Sequence, residues 1–222
     1  MFAQRIMQRQ RPAAFGQLFR RSFGSTLSIN PHIKAFRLAT LPPSYLLTYL
    51  DTPRPSAVTA VGTTSVLPPT PRSFVANDRF MDILNDVLRE NAAQDDGLRA
   101  QAVAFAAPGG TIFSNAGASH TGSSTTVQQG GSGGGGVGGW VHLSDLRNPP
   151  DFGRIAWPED IFGSIEVDST GTLLDNFQPS GSYRILTNEG MLGLSDFLRE
   201  KLVQRLEEED ENDTSDRPQI LD

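Results

Sequence analysis

The tract from Pro108 to Gly139 constrains this chain most. It is almost wholly Gly, Ser, Thr, Ala and Gln, and it ends in Gly-Gly-Ser-Gly-Gly-Gly-Gly-Val-Gly-Gly from Gly130 to Gly139. Such a stretch offers almost no apolar side chain to bury, so nothing offsets its ordering entropy. It is expected to be a flexible linker over 108–139, and any packing between the segments it joins must be non-local. Composition points the same way. Apolar residues make up 37 % of the chain, with 22 Gly and 15 Pro concentrated between positions 41 and 139. The ordered part is therefore expected to fall well short of 222 residues.

After the tract, residues 140–206 read as a compact α+β domain. Trp140 and His142 alternate with Val141 and Leu143, as in a half-buried strand. Asp145 to Pro158 is polar and Pro-bearing, too irregular for a helix. Ile161, Gly163, Ile165 and Val167 then share one strand face. Asp168-Ser169-Thr170-Gly171 reads as a hairpin turn, with Gly supplying positive φ. Leu173 to Phe177 returns, and Tyr183 to Leu186 adds a further short alternation. Ser195 is placed to cap a helix with Leu194, Phe197, Leu198, Leu202 and Leu206 on one stripe. The expected fold is a small antiparallel β-meander of three or four strands with a C-terminal helix packed on it. A domain of this size buries only about 60 % of its unfolded surface, so it needs help from elsewhere in the chain or from a partner.

Before the tract, residues 77–107 form the expected helical segment. Asn77 is a favourable N-cap, Asp78 sits at the positive helix end, and Phe80, Ile83, Leu84, Val87 and Leu88 recur at helical spacing. One helix is thus predicted near 78–90. Residues 24–76 read as an extended arm and Pro-rich linker, with short apolar alternation from Ile33 to Leu41. A helical turn is expected over Tyr45 to Leu50 after Ser44. The last segment, 207–222, is expected to be an acidic disordered tail, because acids at a helix C-terminus oppose the macrodipole.

Charge is unevenly distributed. Residues 1–23 carry five arginines (Arg5, Arg9, Arg11, Arg20, Arg21) and no acid. Phe2, Ile6, Phe15, Leu18 and Phe19 can form an apolar helix side, and Arg21-Ser22-Phe23-Gly24 resembles a matrix-peptidase site. This is the pattern of a mitochondrial presequence; the plainer reading is a disordered basic arm. The remainder holds 14 basic and 25 acidic residues, a net of −11. That balance disfavours nucleic acid and anionic membranes, and no local basic patch is apparent after residue 23. No run of apolar residues is long enough to span a membrane. Nothing in the sequence specifies an oligomeric state.

The chemistry-bearing residues are sparse. There is no cysteine, which excludes a disulfide framework, a Cys-ligated zinc site and a thiol nucleophile. His32, His120 and His142 are too scattered for a metal site, and no cofactor is expected. Asp151-Phe152-Gly153 spells the kinase magnesium motif, but the accompanying kinase elements are missing. Gly131 to Gly136 satisfies a dinucleotide-binding pattern only trivially, since no strand–turn–helix frames it. Asn212-Asp213-Thr214 matches a glycosylation acceptor that a matrix protein would not use. Arg199, Lys201 and Arg205 give the last helix a basic side, most simply a solvated face.

One cluster merits inspection: His142, Asp145, Arg147, Asp151 and Arg154, with Glu159 and Asp160 close behind. It joins a strand end to a loop, where sites are commonly built. A His with carboxylates can move protons. The competing reading makes Asp145 and Asp151 turn caps and pairs the arginines with acids.

Two runs resemble a group of small ascomycete-type fungal mitochondrial proteins to which no activity is assigned. They are Leu38 to Pro55 and Gly139 to Leu206. Within the second, Ser144-Asp145-Leu146-Arg147-Asn148-Pro149-Pro150-Asp151-Phe152-Gly153-Arg154-Ile155, Pro158-Glu159-Asp160-Ile161-Phe162-Gly163 and Leu192-Gly193-Leu194-Ser195 carry the resemblance. It implies a domain boundary near 139 and a mitochondrial setting, and it carries over no catalytic residue. The expectation is a non-catalytic mitochondrial accessory or assembly protein, in the matrix, binding a protein partner through its C-terminal domain. The alternative is a small enzyme or ligand-binding domain using the 142–160 loop.

Overall fold

The computed structural model describes residues 25–52, 55–107, 138–151 and 154–216. The expectations for residues 1–23, for nearly all of the 108–139 tract and for residues 217–222 lie outside the described residues.

Five strands come first: β1 (Ser25–Leu27), β2 (Asn30–Leu38), β3 (Ser44–Thr48), β4 (Gly62–Thr64) and β5 (Phe74–Ala76). They pair antiparallel in chain order as one sheet. This corrects the reading of 24–76 as an arm and linker. The expected helical turn after Ser44 is a strand, with Phe36 opposite Leu46 and Ala35 opposite Leu47. Those two pairs lie on opposite faces, and all four residues are buried. A strand covered on both sides shows an unbroken apolar run, which periodicity cannot distinguish from a helix. Strands β4 and β5 are three residues each, too short to display a period of two.

The helix expected near 78–90 is α1 (Asp78–Asn91); a 3-10 turn (Ala92–Gln94) leads to α2 (Asp96–Ala106). Asn77 caps α1 by accepting from the Arg79 N–H at 3.1 Å. The two protons of its Nδ2 are shared among the carbonyls of Ala57, Val58 and Ala60, which lie 3.1, 2.9 and 2.7 Å away. One side chain thus starts the helix and holds the loop between β3 and β4. Asp95 caps α2 through the Leu98 N–H at 2.9 Å.

The meander follows as β6 (Gly139–Ser144), β7 (Ile161–Val167) and β8 (Leu173–Pro179), all antiparallel. Gly171, with φ of +87°, closes the β7–β8 turn where the sequence places it. Asp168 Oδ1 accepts the Thr170 and Thr172 N–H groups in that turn. The Tyr183–Leu186 alternation does not extend the meander. Instead β9 (Leu186–Thr187) and β10 (Gly190–Met191) form their own small ladder. Ser195 then caps α3 (Asp196–Asp216), accepting from the Leu198 N–H at 3.2 Å. Its hydroxyl donates to Asp95 at 2.6 Å, tying the starts of α2 and α3 together.

Helix α3 runs through Asp216, which corrects the expectation of disorder from residue 207. Its acids find partners. Glu209 meets Arg79 at 2.9 Å and Arg205 at 3.2 Å, and Ser56 donates to Asp213 at 2.9 Å. These contacts offset the unfavourable placement of acids at a helix C-terminus.

One hydrophobic core spans both halves of the chain, from Leu27 to Leu206. Helix α1 is at its centre. Phe80 stacks on Tyr49 from the end of β3 at 6.4 Å, while α3 and β8 pack along the same helix. Helix α2 covers β6, with the Phe105 ring so close to Gly139 that a Cβ there would collide with it. Asn30 Nδ2 adds a buried bond to the Leu192 carbonyl at 2.6 Å, joining β2 to the segment after β10. The support that a small meander requires thus comes from residues 25–106.

Asn77→Ala should destabilise the protein by about 1–3 kcal/mol, from loss of the cap and of three carbonyl partners. The urea midpoint should fall at unchanged slope, and Asn77→Asp should recover only the capping share. An unaltered midpoint for Asn77→Ala would contradict this account.

Candidate functional site

Strand β6 ends at Ser144, and the chain enters a long connection to β7 that contains little regular structure. A buried polar network fixes it. Asp145 is fully buried, and the side chains of Arg147 and Asp160 are 3 % and 1 % exposed. Arg147 Nε donates to Asp160 Oδ1 at 2.7 Å. Its Nη1 donates to the Ile185 carbonyl at 2.9 Å and its Nη2 to the Glu159 carbonyl at 2.8 Å. The guanidinium also lies 5.4 Å from the centre of the Tyr183 ring, itself packed on Phe162 at 4.5 Å.

Asp145 completes the arrangement. Its Oδ1 accepts the Arg147 N–H at 2.8 Å and the Gly193 N–H at 2.9 Å. Its Oδ2 accepts the Tyr183 hydroxyl at 2.8 Å and lies 3.7 Å from Arg147 Nε. Burial pushes the Asp145 carboxyl upward, against the pull of the Arg147 charge and the donated hydrogen bonds. All these partners are donors, so the geometry is that of a carboxylate. Burial together with the Asp145 charge raises the Tyr183 phenol, which stays protonated and donating. Gly193 is required here, because a Cβ would press on the Arg147 backbone nitrogen.

Chemically this network is closed. Its carboxylates are occupied and its guanidinium nitrogens are committed; Asp145, Asp160 and the Arg147 side chain are buried, with Tyr183 half-buried at the edge. This arrangement orients the backbone of the connection. Asp145 and Arg147 are therefore brought together, as turn cap and ion-pair partner, with the cap and pairing roles the sequence also allowed.

The other three candidates lie elsewhere. His142 sits on β6 and shares a 2.8 Å hydrogen bond through Nδ1 with Ser164 across the β6–β7 pair. Burial lowers its pKa from the ordinary value. Asp151 and Arg154 are 88 % and 75 % exposed and 3.9 Å apart, a surface pair worth little. They line a groove of about 440 Å³ with Asn148, Pro149, Pro150, Ile155, Ala156 and Trp157. Trp157 is 70 % exposed and Ile155 is 53 % exposed. Asn148 connects the two features, donating to Asp160 Oδ2 at 3.4 Å from the groove wall.

Sequence reasoning passed over Tyr183, Gly193, Ile155 and Trp157. Tyr183 and Gly193 lie 38 and 48 positions from Asp145, and only the fold joins them. Trp157 had a signal of its own, a Trp between Ala and Pro in a polar connection. Among the described residues, no group of His, Asp or Glu is arranged to hold a metal ion. No family model, no curated protein and no solved structure matches this chain.

Arg147→Met should cost about 3–5 kcal/mol, because it leaves two buried carboxylates uncompensated. Equilibrium denaturation reads this directly, and a loss under 1 kcal/mol would refute the network's role (about one surface ion pair). His142 gives a pH signature. Its folded-state pKa is depressed, so its contribution to stability is complete above about pH 6.5 and is lost as pH falls through the folded value. Melting temperature should drop on acidification from about pH 7 to about pH 5, and His142→Gln should remove that component. Identical pH profiles for the two proteins would exclude it.

Proposed function

We propose that this protein is a non-catalytic mitochondrial accessory or assembly protein, acting in the matrix. It binds a protein partner through the groove between Asn148 and Trp157. The observation that carries this reading is the exposure of Trp157 and Ile155 beside that groove, on a loop held by the buried Arg147 network. Exposed aromatic and aliphatic anchors on a preorganised wall are what a protein-binding surface requires. Pro149 and Pro150 add rigidity, and the Asp151–Arg154 pair offers polar groups at the rim. An extended apolar peptide segment suits this lining. The mitochondrial part rests on the acid-free, arginine-rich residues 1–23 and on the resemblance to the fungal group.

A ligand-binding or enzymatic role is the second reading. It is favoured by the groove volume of about 440 Å³, within the range of small-molecule sites. Against it stands the commitment of the adjacent titratable groups to the closed network.

A photo-crosslinking amino acid at position 157 separates the readings. Imported into isolated mitochondria, the Trp157→p-benzoylphenylalanine protein should yield a discrete protein adduct. The same probe at exposed Val103 on α2 should not. Adducts of equal intensity at both positions would defeat the docking assignment. Failure of the chain to enter mitochondria would separately defeat the localisation.

A further inference from the structure

We propose that the end of the five-stranded sheet formed by the β2–β3 and β4–β5 turns is a peripheral contact surface for an anionic lipid bilayer. The register puts both turns at that end. Leu38 pairs with Ser44, Tyr45 lies opposite Thr64, and Thr64 lies opposite Phe74. Adjacent strands lie about 4.8 Å apart, so turns 39–43 and 65–73 stand side by side. Each carries exposed aliphatic side chains: Leu41 at 98 %, Val66 at 46 % and Leu67 at 37 %. A single exposed leucine is ordinary; three aliphatic groups on two neighbouring turns make a local patch.

Charge selects the occupant. Residues 25–77 hold Lys34, Arg37, Arg54 and Arg72 against one acid, Asp51, a net of +3. Residues 78–222 hold ten basic and 24 acidic residues, a net of −14. Beyond residue 23 the sheet segment is thus the basic part of an otherwise acidic chain, which corrects the expectation that no basic patch follows residue 23. Lys34 is neutralised by Asp51 at 3.0 Å. Arg37 on β2 and Arg72 in the β4–β5 turn are exposed, and neither has a carboxylate partner among the described residues. No acid occurs in either turn or in the strands flanking it. Cations flanking apolar tips suit an anionic interface, where the tips enter between headgroups and the arginines stay with the phosphates. A projecting tip enters a bilayer without a preformed complement, whereas a protein partner must supply a matching hollow. Attachment is peripheral, since no described helix is long and apolar enough to cross a membrane.

Flotation of the full chain with vesicles provides the test. Phosphatidylcholine vesicles with and without phosphatidylglycerol are compared at low and high salt. The arginine-rich residues 1–23 remain in every protein, so differences between variants report the turns alone. The chain should bind the anionic vesicles. Leu41→Ser combined with Leu67→Ser should lower partitioning about tenfold or more, and Arg37→Ala combined with Arg72→Ala should lower both partitioning and its salt dependence. Leu41 and Leu67 are exposed, so their replacement leaves the fold intact, as circular dichroism would verify. Undiminished partitioning of the double-serine variant overturns the proposal, as does absence of binding. Loss with the arginine pair alone also overturns it, in favour of electrostatic adsorption without entry of the apolar tips.

Discussion

Burial of one apolar stripe on α1 is what the rest of the structure depends on. Phe80, Ile83, Leu84, Val87 and Leu88 are all at most 3 % exposed. Each contributes roughly 1.5–3 kcal/mol on full burial. On one side the stripe receives the five-stranded sheet through Tyr49, and on the other it receives α3 and β8. The buried residues of both sheets and of α1 belong to one cluster. Asn77 matters for the same reason: it sets where the stripe begins and fastens the β3–β4 loop to that point.

The connection from Ser144 to Ile161 is held by different physics. Few ladder bonds run through it, and Arg147 substitutes for them by linking the carbonyls of Glu159 and Ile185 to two aspartates. Burying three ions costs several kcal/mol each before compensation. The compensation comes from Tyr183 and Gly193, which arrive from other parts of the chain, and from Asn148 within the connection itself. Such a network tolerates few alternative loop conformations, since each would strand a charge. The groove bounded by Trp157 therefore has a defined wall although it is built from loop.

Charge follows the architecture. The sheet segment is basic and the helical and meander segments are acidic. The acidic end of α3 is retained as helix because Arg79, Arg205 and Ser56 meet it. The two surfaces to which roles are proposed are correspondingly different in kind. One is a groove with aromatic and aliphatic walls and a single exposed ion pair. The other is a pair of apolar turns flanked by arginines that have no carboxylate partner among the described residues.

Sequence by itself determined the local features. The stripe and cap of α1, the alternation of β6, the positive-φ turn at Gly171 and the Ser195 cap each rest on residues a few positions apart. Periodicity and capping chemistry report those directly. The five-stranded sheet was hidden: β3 is buried on both faces and so lacks alternation, and β4 and β5 are too short to show any. Of the candidate site, the capping role of Asp145 and the pairing of Arg147 with an acid were legible, because these are local turn and charge signals. Their burial was not, because it is produced by Tyr183, Asp160 and Gly193 across the fold. The neighbouring of the Leu41 and Leu67 turns was decided by strand register alone. Tertiary structure decided these matters because they depend on long-range contacts, and no local pattern of residues encodes which distant group will fill a given vacancy.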